Sequence, residues 1–240
     1  MRVITCENYE QMSKIAAYMV AGQLMLKPNS VLGLATGSTP EGMYAELAQI
    51  YQSGAIDFAD VKTFNLDEYY PIARENDQSY YHFMSQHLYG KVNLKPENVH
   101  IPDGSAADAD VECVNYDKAI ESAGGVDLQI LGIGGNGHIG FNEPASELNA
   151  GTYKVSLAED TIKANARFFA DENDVPREAL TSGMATIMKA RKIVLLASGA
   201  GKREPIAKLL SGKITTECPA TMLNMHADVV IIADKAALGL

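Results

Sequence analysis

Three observations predict a doubly wound α/β fold, with a mostly parallel sheet between two layers of helices. Apolar, strand-like runs alternate with helical patterns from end to end of the 240 residues. Several runs, residues 31–35 and 193–197 among them, are apolar without polar alternation, as strands buried on both faces must be. Four of the runs finish in small, hydroxyl-bearing or ionisable residues. That composition suits the carboxyl edge of an open parallel sheet, where such folds bind their ligands. The expected class is therefore a Rossmann-like, three-layer α/β/α fold, as a single domain over residues 1–240, with no low-complexity linker and no internal repeat.

The elements follow in order. A short apolar start at Val3 and Ile4 leads into a helix over residues 9–27, whose Ile15, Ala16, Met19 and Leu26 share one side. Pro28-Asn29 ends it. A strand over 31–35 runs into TGSTPEG and a helix reaching about Tyr51. A second strand, 61–66, ends in Asp67 and Glu68. A polar region follows, with a helix over 79–88 and a loop through Pro102, then a helix over 108–122 and a strand that opens at Val126. Beyond it come a possible strand at 153–157, a helix near 164–169 and another over 177–189. The strand at 193–197 ends in SGAGK and a helix to Leu210, and a last strand spans 229–232. Residues 67–102 and 152–169 are expected to decorate one edge as loops or a lid.

Composition excludes some functions. Thirty acidic against twenty basic residues give a formal net charge of −10, which argues against a nucleic-acid binder with its basic face. A small anion is still bindable, because a few local cations and backbone N–H groups can hold one phosphate. Cys6, Cys113 and Cys218 are far apart, without CxxC or Cys/His ligand spacing, so they read as reduced structural residues of a cytoplasmic protein with no metal site. MRVITCENYE has no apolar signal core, and no run approaches the ~18 apolar residues of a membrane span, so no membrane association is expected.

The most informative stretch is VDLQILGIGGNGHIGFNEP, residues 126–144. An apolar run ends in Gly132, Gly134, Gly135 and Gly137, with His138 next and Glu143 five residues on. Glycine loses more backbone freedom on folding than any other residue, so this density implies tight turns or close approach to a ligand. A histidine there with a carboxylate nearby can move protons near neutral pH. TGSTPEG reads either as a phosphate cradle, with Gly37, Ser38 and Thr39 before a helix opening at Pro40, or as an ordinary helix cap. SGAGK is a second glycine-rich turn, with Lys202 as a point charge. Neither turn is a P-loop, and GxGxxG is absent from the first βα unit. Asp67 and Glu68 should point to opposite sides of their strand; Asp67 shares the side of Asn65 and is the one expected in the crevice. His82, His87, His100 and His226 read as surface or core residues, and Tyr69, Tyr70, Tyr80, Tyr81 and Phe83 as packing.

Taken together, these motifs resemble the glucosamine-6-phosphate deaminase family over residues 31–230. LATGSTPEGMY, FNLDEYY, SYYHFM, LGIGGNGHIGFNEP, TIKANARFF and ALTSGMATI occur in that family's order, and GNGHIGFNEP with LDEY upstream is highly specific. 6-Phosphogluconolactonases share a related fold but lack this pair as written. The resemblance implies cofactor-free conversion of glucosamine 6-phosphate and water to fructose 6-phosphate and ammonia. It implies that His138 opens the sugar ring, that Asp67 moves the C2 proton to C1, and that Glu143 supports His138. It further implies that Gly37, Ser38, Thr39, Arg167 and Lys202 hold the phosphate. A carboxylate normally titrates near ~4, so desolvation must raise Asp67 for it to act as a base.

Two departures stand out. Some members carry Asp where Asn136 stands; Asn cannot ionise but can orient the imidazole, leaving Glu143 as the main electrostatic partner of His138. Members that are allosteric hexamers carry a basic pair just after FNEP and a longer tail; here Tyr153 and Val155 stand there and the chain stops at Leu240. The expectation is a monomer or small homo-oligomer without activation by N-acetylglucosamine 6-phosphate. The competing readings are a 6-phosphogluconolactonase-like hydrolase or pentose-phosphate isomerase on the same sheet, and a sugar-phosphate-sensing regulator module. The last would need a DNA-binding helix-turn-helix, for which the start of the chain leaves no room.

Overall fold

The computed structural model describes residues 1–157, 162 and 175–240. The chain opens with β1 (Arg2–Cys6), α1 (Tyr9–Leu26), β2 (Val31–Leu34), α2 (Ser38–Gln52), β3 (Lys62–Asn65) and β4 (Asp67–Tyr70). Then come α3 (Tyr80–His87), β5 (Val99–His100), α4 (Ala109–Ser122), β6 (Leu128–Leu131), β7 (Tyr153–Ser156), β8 (Glu178–Thr181) and α5 (Met184–Met188). The chain closes with β9 (Lys192–Ala197), α6 (Arg203–Leu210), β10 (Val229–Asp234) and α7 (Lys235–Leu238). Local chemistry sets several starts: the Asn8 side chain accepts from the Gln11 N–H at α1, and Asp108 accepts from Asp110 and Val111 at α4.

The main sheet has seven strands in the order β1-β10-β9-β6-β2-β3-β5, and every pairing in it is parallel. Its two faces divide the core. Leu32, Leu34, Leu128, Ile130, Val194, Leu196, Val230 and Ile232 pack against α1 and α2. Val31, Leu131, Ile193, Leu195, Val229 and Ile231 pack on the opposite face, against α4 and α6. Alternate residues of one strand thus bury on opposite sides, which is why these runs carry no polar alternation. The chain starts at the β1 edge and enters the middle of the sheet at β2; from there it moves outward through β3 to β5, then crosses β2 and builds the other way through β6 and β9 to β10, which lies against β1. The order reverses between β2 and β6, and such a reversal opens a crevice beyond the carboxyl ends of the two strands.

The sequence did not foretell a second sheet, antiparallel, in the order β4-β8-β7. Asp67 and Glu68 begin β4 rather than ending β3. The helix expected over 177–189 is instead β8 followed by the short α5: Glu178-Ala179-Leu180-Thr181 pairs with β4 on one side and β7 on the other. Tertiary pairing overrides a local preference that favours helix. The possible strand near Tyr153 is present as β7, and β5 replaces part of the loop expected before Pro102. The helix expected near 164–169 lies outside the described residues. Among the described residues no helix is long and apolar enough to cross a membrane.

Candidate active site

Four neighbouring strands, β9, β6, β2 and β3, deliver their carboxyl ends to one edge of the sheet. After β2, Gly37 takes φ +92°, a left-handed conformation that needs glycine, and α2 begins at Ser38. Tyr9 pins this turn: its hydroxyl donates to the Ser38 carbonyl (2.9 Å) and accepts from the Gly42 N–H (2.8 Å). Pro40 is the third residue of α2, not the first as the sequence suggested. After β9, Gly199 has φ +89°, and its N–H and the Ser198 hydroxyl both donate to Asp234 at the end of β10. Burial alone would raise the Asp234 carboxyl. The donors Ser198, Ala237, Gly199 and Ala236 outweigh it and hold the group below the usual carboxylate range. Ser198 and Gly199 are therefore committed to the scaffold. Lys202 is half-buried; its N–H donates to the Gly199 carbonyl (3.0 Å), its ammonium makes no hydrogen bond or ion pair with a described residue, and burial lowers that ammonium from the ordinary value.

The His138 loop grows out of β6 and folds back on itself. The Gly134 N–H donates to the His138 carbonyl (2.9 Å), and a Cβ at Gly134 would collide with the imidazole. A Cβ at Gly135 would stand 3.9 Å from the Gly201 carbonyl, so the His loop adjoins the Lys202 turn. Gly137, at φ +92°, is packed on Cys218. His138 Nδ1 is 3.1 Å from Glu143 Oε1, at hydrogen-bond length but off the line a ring N–H would take. Asn136 does not reach the ring: its Nδ2 donates to Glu143 Oε2 (2.6 Å), and its Oδ1 accepts from the His138 N–H (3.1 Å). Asn136 thus fixes the carboxylate and the loop, and Glu143 faces the imidazole.

The second sheet carries the other half. Asp67 is in register with Thr181, whose hydroxyl accepts from the Phe141 N–H (3.1 Å). Asn142, fully buried, donates to the Ile139 and Ser182 carbonyls (both 2.9 Å), which fastens the His loop to β8. At Gly140, φ +57°, a Cβ would stand 3.7 Å from Asp67 Oδ2. The carboxylate of Asp67 therefore lies against the loop two residues from His138. It is 6% exposed and accepts no hydrogen bond from a described side chain or N–H, so burial, with the neighbouring Glu68 charge adding to it, pushes its pKa up to about 8. Glu68 points the other way, as strand alternation requires. Its carboxylate accepts from Tyr69 (2.9 Å), Tyr80 (2.8 Å) and Tyr81 (3.1 Å) at the start of α3. Burial pushes Glu68 to about 7 against the pull of those three donors.

The structure thus brings Asp67, His138, Glu143 and Asn136 around one loop, with Lys202 on the adjoining turn and Gly37, Ser38 and Thr39 at the next strand end. Arg167 lies outside the described residues. Sequence reasoning missed Thr181 and Asn142, whose work is to bolt a loop to a sheet that the sequence hid. A base and an imidazole on one wall with a cation and a helix start nearby can shuttle protons on a phosphorylated polyol.

Known proteins are similar to this chain over its length. The family described as glucosamine-6-phosphate isomerases/6-phosphogluconolactonase matches residues 9–232. The glucosamine-6-phosphate deaminase of Halothermothrix orenii is 55% identical, with all of both chains covered. That of Clostridioides difficile is 52% identical, covering 99% of this chain and 95% of its own. A solved structure described as a monomeric glucosamine-6-phosphate deaminase superposes with a TM-score of 0.97 at 42% identity, covering all of both chains. A 6-phosphogluconolactonase structure from Thermotoga maritima superposes at 0.76 with 20% identity, covering 98% of this chain and 99% of its own, a likeness of fold alone.

Proposed function

Because this chain belongs to the glucosamine-6-phosphate isomerase and 6-phosphogluconolactonase family, we propose how its site works as a glucosamine-6-phosphate deaminase, converting glucosamine 6-phosphate and water to fructose 6-phosphate and ammonia. The single observation that carries the residue roles is the seating of the buried Asp67 carboxylate against Gly140, in the loop that holds His138.

His138 moves the proton of the C1 hydroxyl to the ring oxygen, and the ring opens to an aldehyde. Glu143, 3.1 Å from Nδ1, faces the ring while the proton is in transit. Asp67 then removes the C2 proton and returns it to C1, leaving an imine at C2 that water hydrolyses to the ketone and ammonia. An exposed carboxylate is too weak a base for a C–H bond; desolvation raises Asp67 into the useful range, and the rigid wall supplies orientation. Lys202, Gly37, Ser38, Thr39 and Arg167 hold the phosphate, whose binding energy fixes the reacting carbons. The enzyme acts as a monomer in the cytoplasm without nucleic acid, and it is not activated by N-acetylglucosamine 6-phosphate, since Tyr153 and Val155 cannot supply a basic pair.

The test is direct. Purified protein given glucosamine 6-phosphate is expected to release ammonia and fructose 6-phosphate in equal amounts, and to leave 6-phosphogluconolactone unhydrolysed above its spontaneous rate. Lactone hydrolysis without ammonia release would transfer the chain to the other branch of the family.

A further inference from the structure

Gly42 closes the TGSTPEG motif and marks where α1 leans on α2. A Cβ there would collide with Ser13 Oγ and Tyr9 Cε1, two side chains on one face of α1, so glycine is what lets the helices meet at this turn. The close approach delivers one group. The Tyr9 hydroxyl accepts from the Gly42 N–H (2.8 Å) and donates to the Ser38 carbonyl (2.9 Å). Those two partners are four residues apart, the pair that an α-helix joins directly; here a hydroxyl from another helix bridges them. The root of Tyr9 is itself fixed. Asn8 Oδ1 accepts from the Gln11 N–H (2.9 Å), and Gln11 Oε1 accepts from the Glu7 N–H (2.6 Å).

We propose that Tyr9 is a positioning residue for the substrate phosphate: through the Ser38 carbonyl, its hydroxyl sets and polarises the Thr39 N–H from which the phosphate accepts. The proposal rests on the deaminase reading above, in which this turn holds the phosphate. The Ser38 C=O and the Thr39 N–H belong to one peptide, planar and trans, so they point in opposite directions and turn together. At a helix start that N–H has no intrahelical acceptor and projects past the amino terminus, where an anion binds. Pro40 has no N–H to give, so Thr39 carries the last backbone donor before the helix ladder begins. Ser38 is exposed and Gly37 and Thr39 are half-buried, so a ligand can reach the turn. Gly42 N–H, Tyr9 O–H and the Ser38–Thr39 peptide form a series, and hydrogen bonds in series strengthen one another. Tyr9 touches no substrate atom; it lowers the cost of ordering the donor when the phosphate arrives. Without the hydroxyl, the Gly42 N–H falls back on the Ser38 carbonyl as in an ordinary helix, and the peptide turns with it. The fold then loses little while the grip on the phosphate loosens.

The experiment compares the parent with two variants. Tyr9→Phe keeps the ring between the helices and removes only the hydroxyl; Asp127→Ala removes a buried carboxylate at the opposite edge of the sheet. Inorganic phosphate is the probe, used as a competitive inhibitor of ammonia release and as the titrant in calorimetry. In Tyr9→Phe, KM for glucosamine 6-phosphate and the Ki and Kd of phosphate are expected to rise together by roughly 5–20-fold, the partial loss of one charge-assisted hydrogen bond. Its kcat should stay within about twofold of the parent's, and its Tm should fall by about 2–4 °C. Asp127→Ala is expected to lose at least as much Tm with KM, Ki and Kd unmoved. Phosphate affinity within twofold of the parent's in Tyr9→Phe would leave the hydroxyl a fastener between two helices and overturn the proposal. So would a fall in kcat at constant KM, or an equal weakening of phosphate in Asp127→Ala, which would trace the effect to lost stability. A parent inactive on glucosamine 6-phosphate would sink the deaminase reading, and calorimetry with phosphate would still decide the part played by Tyr9.

Discussion

Asp67 illustrates how one side chain answers to two demands. Burial, with the Glu68 charge adding to it, pushes its carboxyl up to about 8 in the fold from the ordinary carboxylate value of 3.8 in an unfolded chain, so the folded state binds the extra proton between those limits. The sign follows: stability falls as pH rises from about 4 to about 8 and is flat above, where both states are ionised. Asp67→Asn is therefore expected to melt at a higher temperature than the parent at pH 8 and to show little difference at pH 4, by thermal denaturation. The same change removes the base, and kcat should drop on the order of 10³-fold or more with KM little altered. In the parent, kcat/KM should climb with pH up to about 8, since only the ionised carboxylate accepts the C2 proton. Lys202→Ala should do the converse, raising KM on the order of 10–100-fold while kcat holds, by loss of a charged contact to the phosphate.

At the scale of elements, Glu68 joins β4 to α3. Gln in its place still offers an oxygen to the Tyr69 and Tyr80 N–H groups, but its amide turns a donor toward the Tyr81 N–H. Glu68→Gln is expected to lower stability by about 1–3 kcal/mol in chemical denaturation, with faster hydrogen exchange concentrated in the first turn of α3. This scale also shows what a single chain of letters could convey. Buried strands such as Val31–Leu34 and the 229–232 part of β10 were legible because they are apolar without polar alternation, and α1 because one side of it is apolar and Pro28 ends it. The glycines and His138 were legible because special backbone conformations demand special residues. β4 and β8 were not: each is four residues long, and their pairing joins positions more than a hundred residues apart. Asn136 was read as an imidazole partner, yet whether an amide meets the ring or the carboxylate beyond it depends on a turn that no spacing encodes.

Across the whole molecule, the two ends of the sheet have different duties. Asp127, just before β6, is buried at the amino edge and gathers Lys27 (2.7 Å), Arg191 (3.0 Å) and the Val31 N–H (2.8 Å). It ties the end of α1 and the starts of β2 and β9 to one carboxylate. Because Lys27 and Arg191 are about half exposed and can return to water, Asp127→Ala should lower stability by about 1–3 kcal/mol rather than by the larger loss of a wholly buried pair, with kcat and KM unchanged. Gel filtration is expected to give a mass near 25.8 kDa, and rate against substrate to follow a hyperbola that N-acetylglucosamine 6-phosphate does not alter. A four-residue strand is roughly 13 Å long, so the carboxylate at the amino edge and the groups that touch sugar are held apart by the full depth of the sheet. Heat tolerance and turnover are thereby separable traits in this protein: an engineer, or natural selection, can retune the ionic cluster around residue 127 for a hotter or colder habitat while leaving the catalytic rim untouched.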